Sequence, residues 1–181
     1  MIGVAVIGAG QWGPNLIRNF HNKQTSEVLW IIDRDATRLK EVHAHFPDVH
    51  IATDAKEALR DPSVHAVVVA SPTNTHYALT KEALGGRKHV LVEKPLTTEI
   101  KQGIDLCELA TKYQLTLMVG HVFVYNPAVQ CAHFLGSMIT GKQAFTATHA
   151  VIGVVRALEA IQRSSVKAAT RRMWNHTDHL S

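Results

Sequence analysis

The hexapeptide GAGQWG at positions 8–13 follows the apolar run IGVAVI at positions 2–7 and directly precedes Pro14. The apolar run predicts a strand that is buried on both faces, and proline suits the first turn of a helix. In a G-x-G-x-x-G turn, the first glycine permits a tight bend and the second lets the backbone approach a phosphate group. The third lets the helix pack closely on the strand. A strand, this turn and a helix in succession therefore predict a loop that binds the pyrophosphate of a dinucleotide.

A second apolar run, at positions 28–33, ends at Asp33, twenty residues after the last glycine of the turn. A carboxylate at this spacing can accept hydrogen bonds from the 2′-hydroxyl of a ribose and repels a 2′-phosphate, so it favours NAD. Arg34 follows directly, and its guanidinium could neutralise a 2′-phosphate, so NADP stays open as the cofactor. Capping of the next helix by Asp33 is the competing structural interpretation.

Short runs rich in Val and Ile alternate with amphipathic segments as far as position 120. We predict strands at 2–7, 28–33, 49–52, 66–70, 89–92 and 115–119, and helices at 14–22, 36–46, 55–60, 76–84 and 99–113. Strands that are apolar nearly throughout and separated by helices are typical of a parallel sheet covered on both faces. The predicted fold class is α/β, a doubly wound parallel sheet of the Rossmann type, followed by a short C-terminal helical segment.

Polar clusters follow the fourth, fifth and sixth predicted strands, at the sheet edge where ligands of such folds bind. They read SPTNTH at positions 71–76, EKP at positions 93–95 and GHVFVYNP at positions 120–127. Each has a plain structural interpretation as a turn, a helix cap or a surface lysine. Because all three are expected at the edge that carries the glycine turn, they favour a cofactor site.

The overall composition is that of a soluble globular protein: 181 residues, of which 46% are hydrophobic and 19% charged. No apolar run reaches the ~18 residues of a membrane span, and no basic segment precedes the first apolar run. We therefore expect neither a membrane partner nor a signal peptide. Two cysteines, Cys107 and Cys131, do not form a paired motif. This cysteine usage favours a reducing, cytoplasmic location.

The formal net charge of +4 arises mainly from residues 150–181, which carry five Lys or Arg and two Asp or Glu. A nucleic-acid surface needs a basic stripe with stacking aromatic side chains, and only Trp174 lies near this cluster, so we expect no nucleic-acid partner. Three of the twelve histidines, His43, His45 and His50, lie close together in sequence. Positions 43 and 45 would face different sides of a helix and no Cys or carboxylate completes a ligand set, so we predict no metal site.

The glycine turn, the SPTNTH turn and the EKP element together resemble the Gfo/Idh/MocA oxidoreductases, over residues 1–127. The resemblance implies NAD(P)-dependent hydride transfer at a hydroxyl group of a sugar, sugar nucleotide or polyol. It also implies that Lys94 lies beside the nicotinamide and relays the substrate proton, and that His121 lies on the substrate side. Glu93 could orient Lys94 through an ion pair or could cap a loop. The residues expected at the cofactor are Gly8, Gly10, Gln11, Trp12, Gly13, Asp33, Arg34, Ser71, Pro72, Thr73, Asn74, His76, Glu93, Lys94 and Pro95.

Members of that family continue into a large, mostly antiparallel sheet that builds the substrate pocket and often the subunit contact. The residues after position 127 instead predict two helices. We therefore divide the chain into a Rossmann-type domain at 1–121, a helical remnant of the C-terminal region packed on it at 122–167, and a basic, flexible tail at 168–181. The alternative function is a non-catalytic NAD(P)-binding module, either a sensor or a subunit that completes a partner's site. A homo-oligomer would cover the exposed sheet edge.

Overall fold

The computed structural model describes residues 1–120; His121, the predicted helical remnant at 122–167 and the predicted tail at 168–181 lie outside the described residues. Six parallel strands form one sheet: β1 (Ile2–Ile7), β2 (Ser26–Ile32), β3 (His50–Ala52), β4 (Val64–Val69), β5 (His89–Glu93) and β6 (Leu117–Gly120). Five helices connect them: α1 (Gly13–His21), α2 (Ala36–His43), α3 (Ala55–Arg60), α4 (Thr73–Gly85) and α5 (Ile100–Lys112). Within residues 1–120, no helix combines the length and the apolar character needed to span a membrane.

The strand order is β3-β2-β1-β4-β5-β6, so the chain winds outward from β1 in one direction and then from β4 in the other. This is the order of a doubly wound Rossmann fold, and the predicted fold class is confirmed. The reversal between β1 and β4 opens a crevice at the carboxyl ends of these two strands. The loops that begin with Gly8 and Ser71 leave the sheet at this crevice.

Both faces of the sheet are covered, because alternate residues of β1 enter two separate hydrophobic cores. One core contains Val4 and Val6 together with Ile17 of α1, which is completely buried. The other contains Ala5 and Ile7 with side chains of α4 and α5. Burial of a side chain of the size of isoleucine stabilises a fold by roughly 1.5–3 kcal/mol, so β1 is held firmly between the two helical layers.

Helix α4 begins at Thr73, three residues before the predicted start at position 76. The sequence predicts a turn at Ser71-Pro72 and Thr75 as the cap of a helix that begins at His76. Pro72 instead occupies the position before the helix, and the Thr75 hydroxyl donates to the Pro72 carbonyl oxygen at 2.7 Å. The polar residues Thr73 and Asn74 are therefore part of the first helical turn. The other boundaries lie within about three residues of their predicted positions.

Asp61 links β2 to the loop between α3 and β4. Its carboxylate accepts the indole N–H of Trp30 at 2.8 Å and the backbone N–H of Ser63 at 2.8 Å. These hydrogen bonds, with that of Trp30 contributing most, lower the pKa of Asp61 from its ordinary value of 3.8. The buried Lys88 ammonium group donates to the backbone carbonyl of Asp61 at 2.9 Å and reinforces the same link.

We expect Trp30→Phe to reduce the free energy of unfolding by about 1 kcal/mol near pH 5, because a charged acceptor loses its indole donor. A lowered folded-state pKa means that the ionised carboxylate stabilises the fold above pH 3.8 and loses this effect as the pH falls through the folded-state pKa. The difference between wild type and variant should therefore shrink as the pH falls below 3.8. Denaturant unfolding at several pH values measures it. In an Asp61→Asn background the same substitution should show no such pH dependence.

Candidate cofactor site

The glycine turn has two glycines that the backbone itself requires. Gly8 adopts φ +109°, in the region that favours glycine, and a Cβ placed on it would lie 2.6 Å from the Ala70 carbonyl group. A Cβ on Gly13 would overlap the carbonyl oxygen of Gly8. Gly10 differs, because among residues 1–120 its added Cβ would lie near only an Arg38 guanidinium nitrogen, at 3.6 Å. The backbone at Gly10 is therefore open on one side, as close approach of a phosphate group requires.

The Asp33 carboxylate joins the glycine turn to the end of β2. One of its oxygens accepts the backbone N–H of Ala9 at 2.7 Å, and the other accepts the backbone N–H of Asp35 at 2.9 Å. Helix α2 is capped by Asp35, whose side chain accepts the Thr37 N–H at 2.9 Å. The interpretation of Asp33 as the cap of this helix is therefore wrong. Each Asp33 oxygen retains a lone pair for a further donor, such as a ribose hydroxyl.

A second arginine, Arg38, lies beside the glycine turn and was not predicted from the sequence. The guanidinium of Arg38 is 3.4 Å from the Asp35 carboxylate and is also the group nearest to the open side of Gly10. Arg34, which the sequence favoured as the neutralising cation, and Arg38 are both exposed. The signal for Arg38 was its position three residues after a capping aspartate, which brings the two side chains together on the first helical turn.

The loop after β4 is ordered by its own hydroxyl groups. The Ser71 and Thr75 hydroxyls lie 2.7 Å apart, and that of Thr75 also donates to the Pro72 carbonyl oxygen. The side chain of Asn74 is exposed at the start of α4. The exposed Asn74 amide offers a polar contact at the crevice, whereas the Thr75 N–H of this first turn already donates to the Pro72 carbonyl oxygen at 2.9 Å.

His76 connects the loop after β4 to the loop after β5. Its imidazole is 1% exposed, with one nitrogen 2.8 Å from the Pro95 carbonyl oxygen and the other 2.8 Å from the Ser71 carbonyl oxygen. Both polar atoms of the ring are thus engaged with the protein backbone. The sequence expectation that His76 lines the cofactor stays a prediction, and the described contacts assign it a role inside the protein.

Glu93 is the last residue of β5, opposite the last residue of β6, and Lys94 follows it directly. The Glu93 carboxylate accepts the backbone N–H of Lys94 at 3.3 Å and lies over Gly120, where an added Cβ would be 3.2 Å from its nearest oxygen. Among residues 1–120 no ion pair joins Glu93 to Lys94, so of the two interpretations the loop cap is the one observed. The side chain of Lys94 is exposed, and the Lys94-Pro95 peptide bond is cis.

The structure therefore places the residues expected at the cofactor at the carboxyl ends of β1, β2, β4 and β5. The open backbone at Gly10, the exposed Trp12 indole and the remaining lone pairs of Asp33 fit a dinucleotide laid across these ends. Within the described range, no three His, Cys, Asp or Glu side chains converge as a metal site would need. His121 lies outside this range, so its expected place on the substrate side stays a prediction.

This fold and this arrangement of residues define a nicotinamide-dinucleotide type of Rossmann domain. Residues 2–121 match the family model GFO_IDH_MocA, described as an oxidoreductase family with an NAD-binding Rossmann fold. The chain belongs to this family, as the resemblance of its motifs implied.

Solved and curated relatives agree with this assignment. The chain is 33% identical over 133 residues to the UDP-N-acetylglucosamine 3-dehydrogenase of Acidithiobacillus ferrooxidans, covering 69% of this chain and 38% of that protein. It superposes with TM-score 0.70 and 32% identity on GenD2 from gentamicin A biosynthesis, solved with NAD, over 75% of this chain and 39% of that one. KijD10, a 3-ketoreductase from Actinomadura kijaniata solved with NADP and TDP-benzene, gives TM-score 0.68 and 28% identity, over 76% and 42% of the two chains. The chain spans between 27% and 56% of the length of the first curated relatives that it matches.

Substitution of Gly8 or Gly13 should destabilise the fold more than substitution of Gly10. We expect Gly13→Ala to reduce the free energy of unfolding by about 1–3 kcal/mol, because the new methyl group overlaps the backbone of Gly8. Gly10→Ala, the matched control, should change it by no more than about 0.5 kcal/mol, since the added atom meets only a movable guanidinium group. Urea unfolding of the three proteins measures both effects, and equal losses in the two variants would contradict this account of the turn.

Proposed function

We propose that this chain binds NAD across the carboxyl ends of its sheet and contributes to hydride transfer at a hydroxyl group of a sugar, sugar nucleotide or polyol. The observation that carries the proposal is the 2.7 Å hydrogen bond from the Ala9 N–H to Asp33. It holds a carboxylate beside the glycine turn, so that one binding surface can take both a pyrophosphate and the ribose next to it. The family of the chain is an oxidoreductase family, which supports the same reaction class.

Different residues of the site would bind different parts of the cofactor. Backbone N–H groups at Gly10 and at the N-terminus of α1 would hold the pyrophosphate, assisted by the positive end of the helix dipole. Asp33 would accept hydrogen bonds from the adenosine ribose, and the Ser71 and Glu93 loops would enclose the nicotinamide half. When bound there, the cofactor supplies a carbon that accepts or donates a hydride.

NAD is the preferred cofactor in this proposal, with NADP as the alternative. The negative charge of Asp33 opposes a 2′-phosphate, which favours NAD. Two cations lie nearby, Arg34 and Arg38, but the guanidinium of Arg38 is drawn toward the Asp35 carboxylate at 3.4 Å. A 2′-phosphate would have to compete with that carboxylate for Arg38 and would also face Asp33.

Lys94 is the residue that we propose as proton relay. During oxidation of an alcohol, the hydroxyl proton passes to the Lys94 amine while the hydride leaves the neighbouring carbon, and the reverse holds for reduction. The amine is exposed at the end of β5, and its backbone is fixed because the Glu93 carboxylate accepts the Lys94 N–H. His121, which follows Gly120 directly, would contact the substrate.

Sugar-like substrates are suggested by the dehydrogenase that acts on UDP-N-acetylglucosamine and by KijD10, both similar to this chain. We further propose that residues 1–121 form the cofactor domain and that the protein acts in the cytoplasm without nucleic-acid or membrane partners. A second copy of the chain would cover the exposed sheet edge.

Titration with NADH and NADPH, followed by fluorescence, tests the cofactor assignment. Wild type should bind NADH more tightly than NADPH. Asp33→Asn should weaken NADH binding by about tenfold, because it removes the charge that strengthens the ribose hydrogen bonds, and should weaken NADPH binding less. Glu108→Gln is the matched control, since it removes one negative charge from the exposed face of α5. Unchanged NADH affinity in Asp33→Asn would remove the basis of the proposal.

Turnover tests the role of Lys94. With a panel of sugars, sugar nucleotides and polyols, we expect Lys94→Met to lower the rate by about 100-fold or more while NADH affinity stays within about threefold. Lys101→Met, an exposed lysine of α5, should leave the rate unchanged. If wild type binds NADH but turns over no substrate in the panel, the non-catalytic NAD(P)-binding module becomes the better account.

A further inference from the structure

The buried imidazole of His76 makes a pair of contacts that a neutral histidine cannot satisfy. Each ring nitrogen lies 2.8 Å from a backbone carbonyl oxygen, that of Pro95 on one side and that of Ser71 on the other. A carbonyl oxygen only accepts hydrogen bonds, so each nitrogen has to carry a hydrogen for both bonds to form. A neutral imidazole carries one hydrogen on nitrogen and would point a lone pair at the second oxygen.

Two other histidines of the same chain show the opposite pattern. The Nδ1 atom of His65 accepts the Gly3 N–H at 2.9 Å, and that of His89 accepts the Thr116 N–H at 3.0 Å. An accepting nitrogen carries no hydrogen, so each of these two bonds requires a ring with its hydrogen on Nε2. The backbone thus places carbonyl acceptors at both nitrogens of His76 and an N–H donor at one nitrogen of His65 and of His89. His65 and His89 can therefore serve as internal references for the ring of His76.

We propose that His76 is an imidazolium ion that fixes the loop carrying Lys94 to the loop after β4. Burial of a charge is costly when it has no partners, but here both N–H groups are directed at carbonyl dipoles at short distance. The two acceptors belong to the loops that follow neighbouring strands β4 and β5. His76 is therefore a positioning residue: it contacts Pro95, the residue after Lys94, from inside the protein.

The consequence for catalysis rests on the proposed function of Lys94, whereas the protonation state of the ring does not. With both bonds formed, the Pro95 carbonyl is tied to α4, and the backbone on either side of it can move little. With one bond lost, this loop would open more often without unfolding of the sheet. His76 thus determines how often the Lys94 amine is in position to exchange a proton with the substrate.

Long-range proton–nitrogen NMR of the ring nitrogens tests the protonation state directly on the full chain without cofactor. The spectrum is recorded at about pH 7.5, where a histidine in water is mostly neutral. We expect two protonated ring nitrogens for His76, assigned by their loss in His76→Gln. His65 and His89 should each show one protonated and one unprotonated nitrogen. An unprotonated nitrogen in the His76 ring would overturn the proposal whatever the chain does with NADH.

Hydrogen exchange tests the positioning role. In His76→Gln, which keeps an amide donor but cannot reproduce both ring bonds, exchange of the Lys94 and Leu96 amides should accelerate by about tenfold or more. Exchange within β1 and β2 should not change. Tyr77→Phe is the matched control, because it removes a hydrogen bond of the same helix, to Asp105, that does not reach either loop. Equal acceleration everywhere, or none at the EKP loop, would overturn the proposal.

A third variant and a kinetic measurement complete the test. If His76→Gln does not fold, His76→Leu, which has a comparable volume and no polar donor, is measured in the same way. For an active enzyme, the expected result is a fall in kcat of about tenfold with KM for substrate nearly unchanged, since binding contacts remain and the relay is displaced. A rise in KM with kcat unchanged would assign His76 to binding and contradict the positioning role.

Discussion

Strand β1 is the constraint on which the rest of the structure depends. It lies between β2 and β4, and its alternate residues enter the two cores on opposite faces of the sheet. No position along such a strand can present a polar side chain without burying it. Polar chemistry is therefore confined to the point where the chain leaves the sheet, and Gly8 turns the backbone there with a φ that other residues rarely adopt. The glycine turn, the Asp33 carboxylate and the loops after β4 and β5 all meet at this end.

The sequence predicted the fold well because the signals involved are local. The six apolar runs lie within one parallel sheet, and the G-x-G-x-x-G turn lies between β1 and α1 as its spacing indicated. Pro14 lies in the first turn of α1, as its backbone preference predicted. The largest boundary errors were three residues, at the end of α2 and at the start of α4, where Thr75 was interpreted as a cap outside the helix. Hydrogen bonds of the Thr75 hydroxyl hold that segment in the helix.

Features that depend on distances between strands could not be read from the sequence. The place of the Glu93 carboxylate follows from the register of β5 and β6, which sets Glu93 opposite Gly120. The contact of His76 with Pro95 joins two loops that only the parallel pairing of β4 and β5 brings together. Arg38 was missed because its significance arises from the open side of Gly10, far away in sequence. In each case a residue acquires its role from a backbone that the sheet positions.

The two hydrogen bonds of Asp33 have a consequence for how this site tolerates change. Both donors are backbone N–H groups, those of Ala9 and Asp35, and not side chains. The carboxylate is thus held in a single rotamer before any ligand arrives, and binding need not freeze it. Because both donors are main-chain atoms, a substitution disturbs this acid only where it moves the backbone, as at the buried Ala9 or at Asp35, which caps α2. The orientation of the Asp33 carboxylate therefore depends on the backbone and not directly on the neighbouring side chains. Side chains that do not fix this backbone can vary while the carboxylate keeps its orientation.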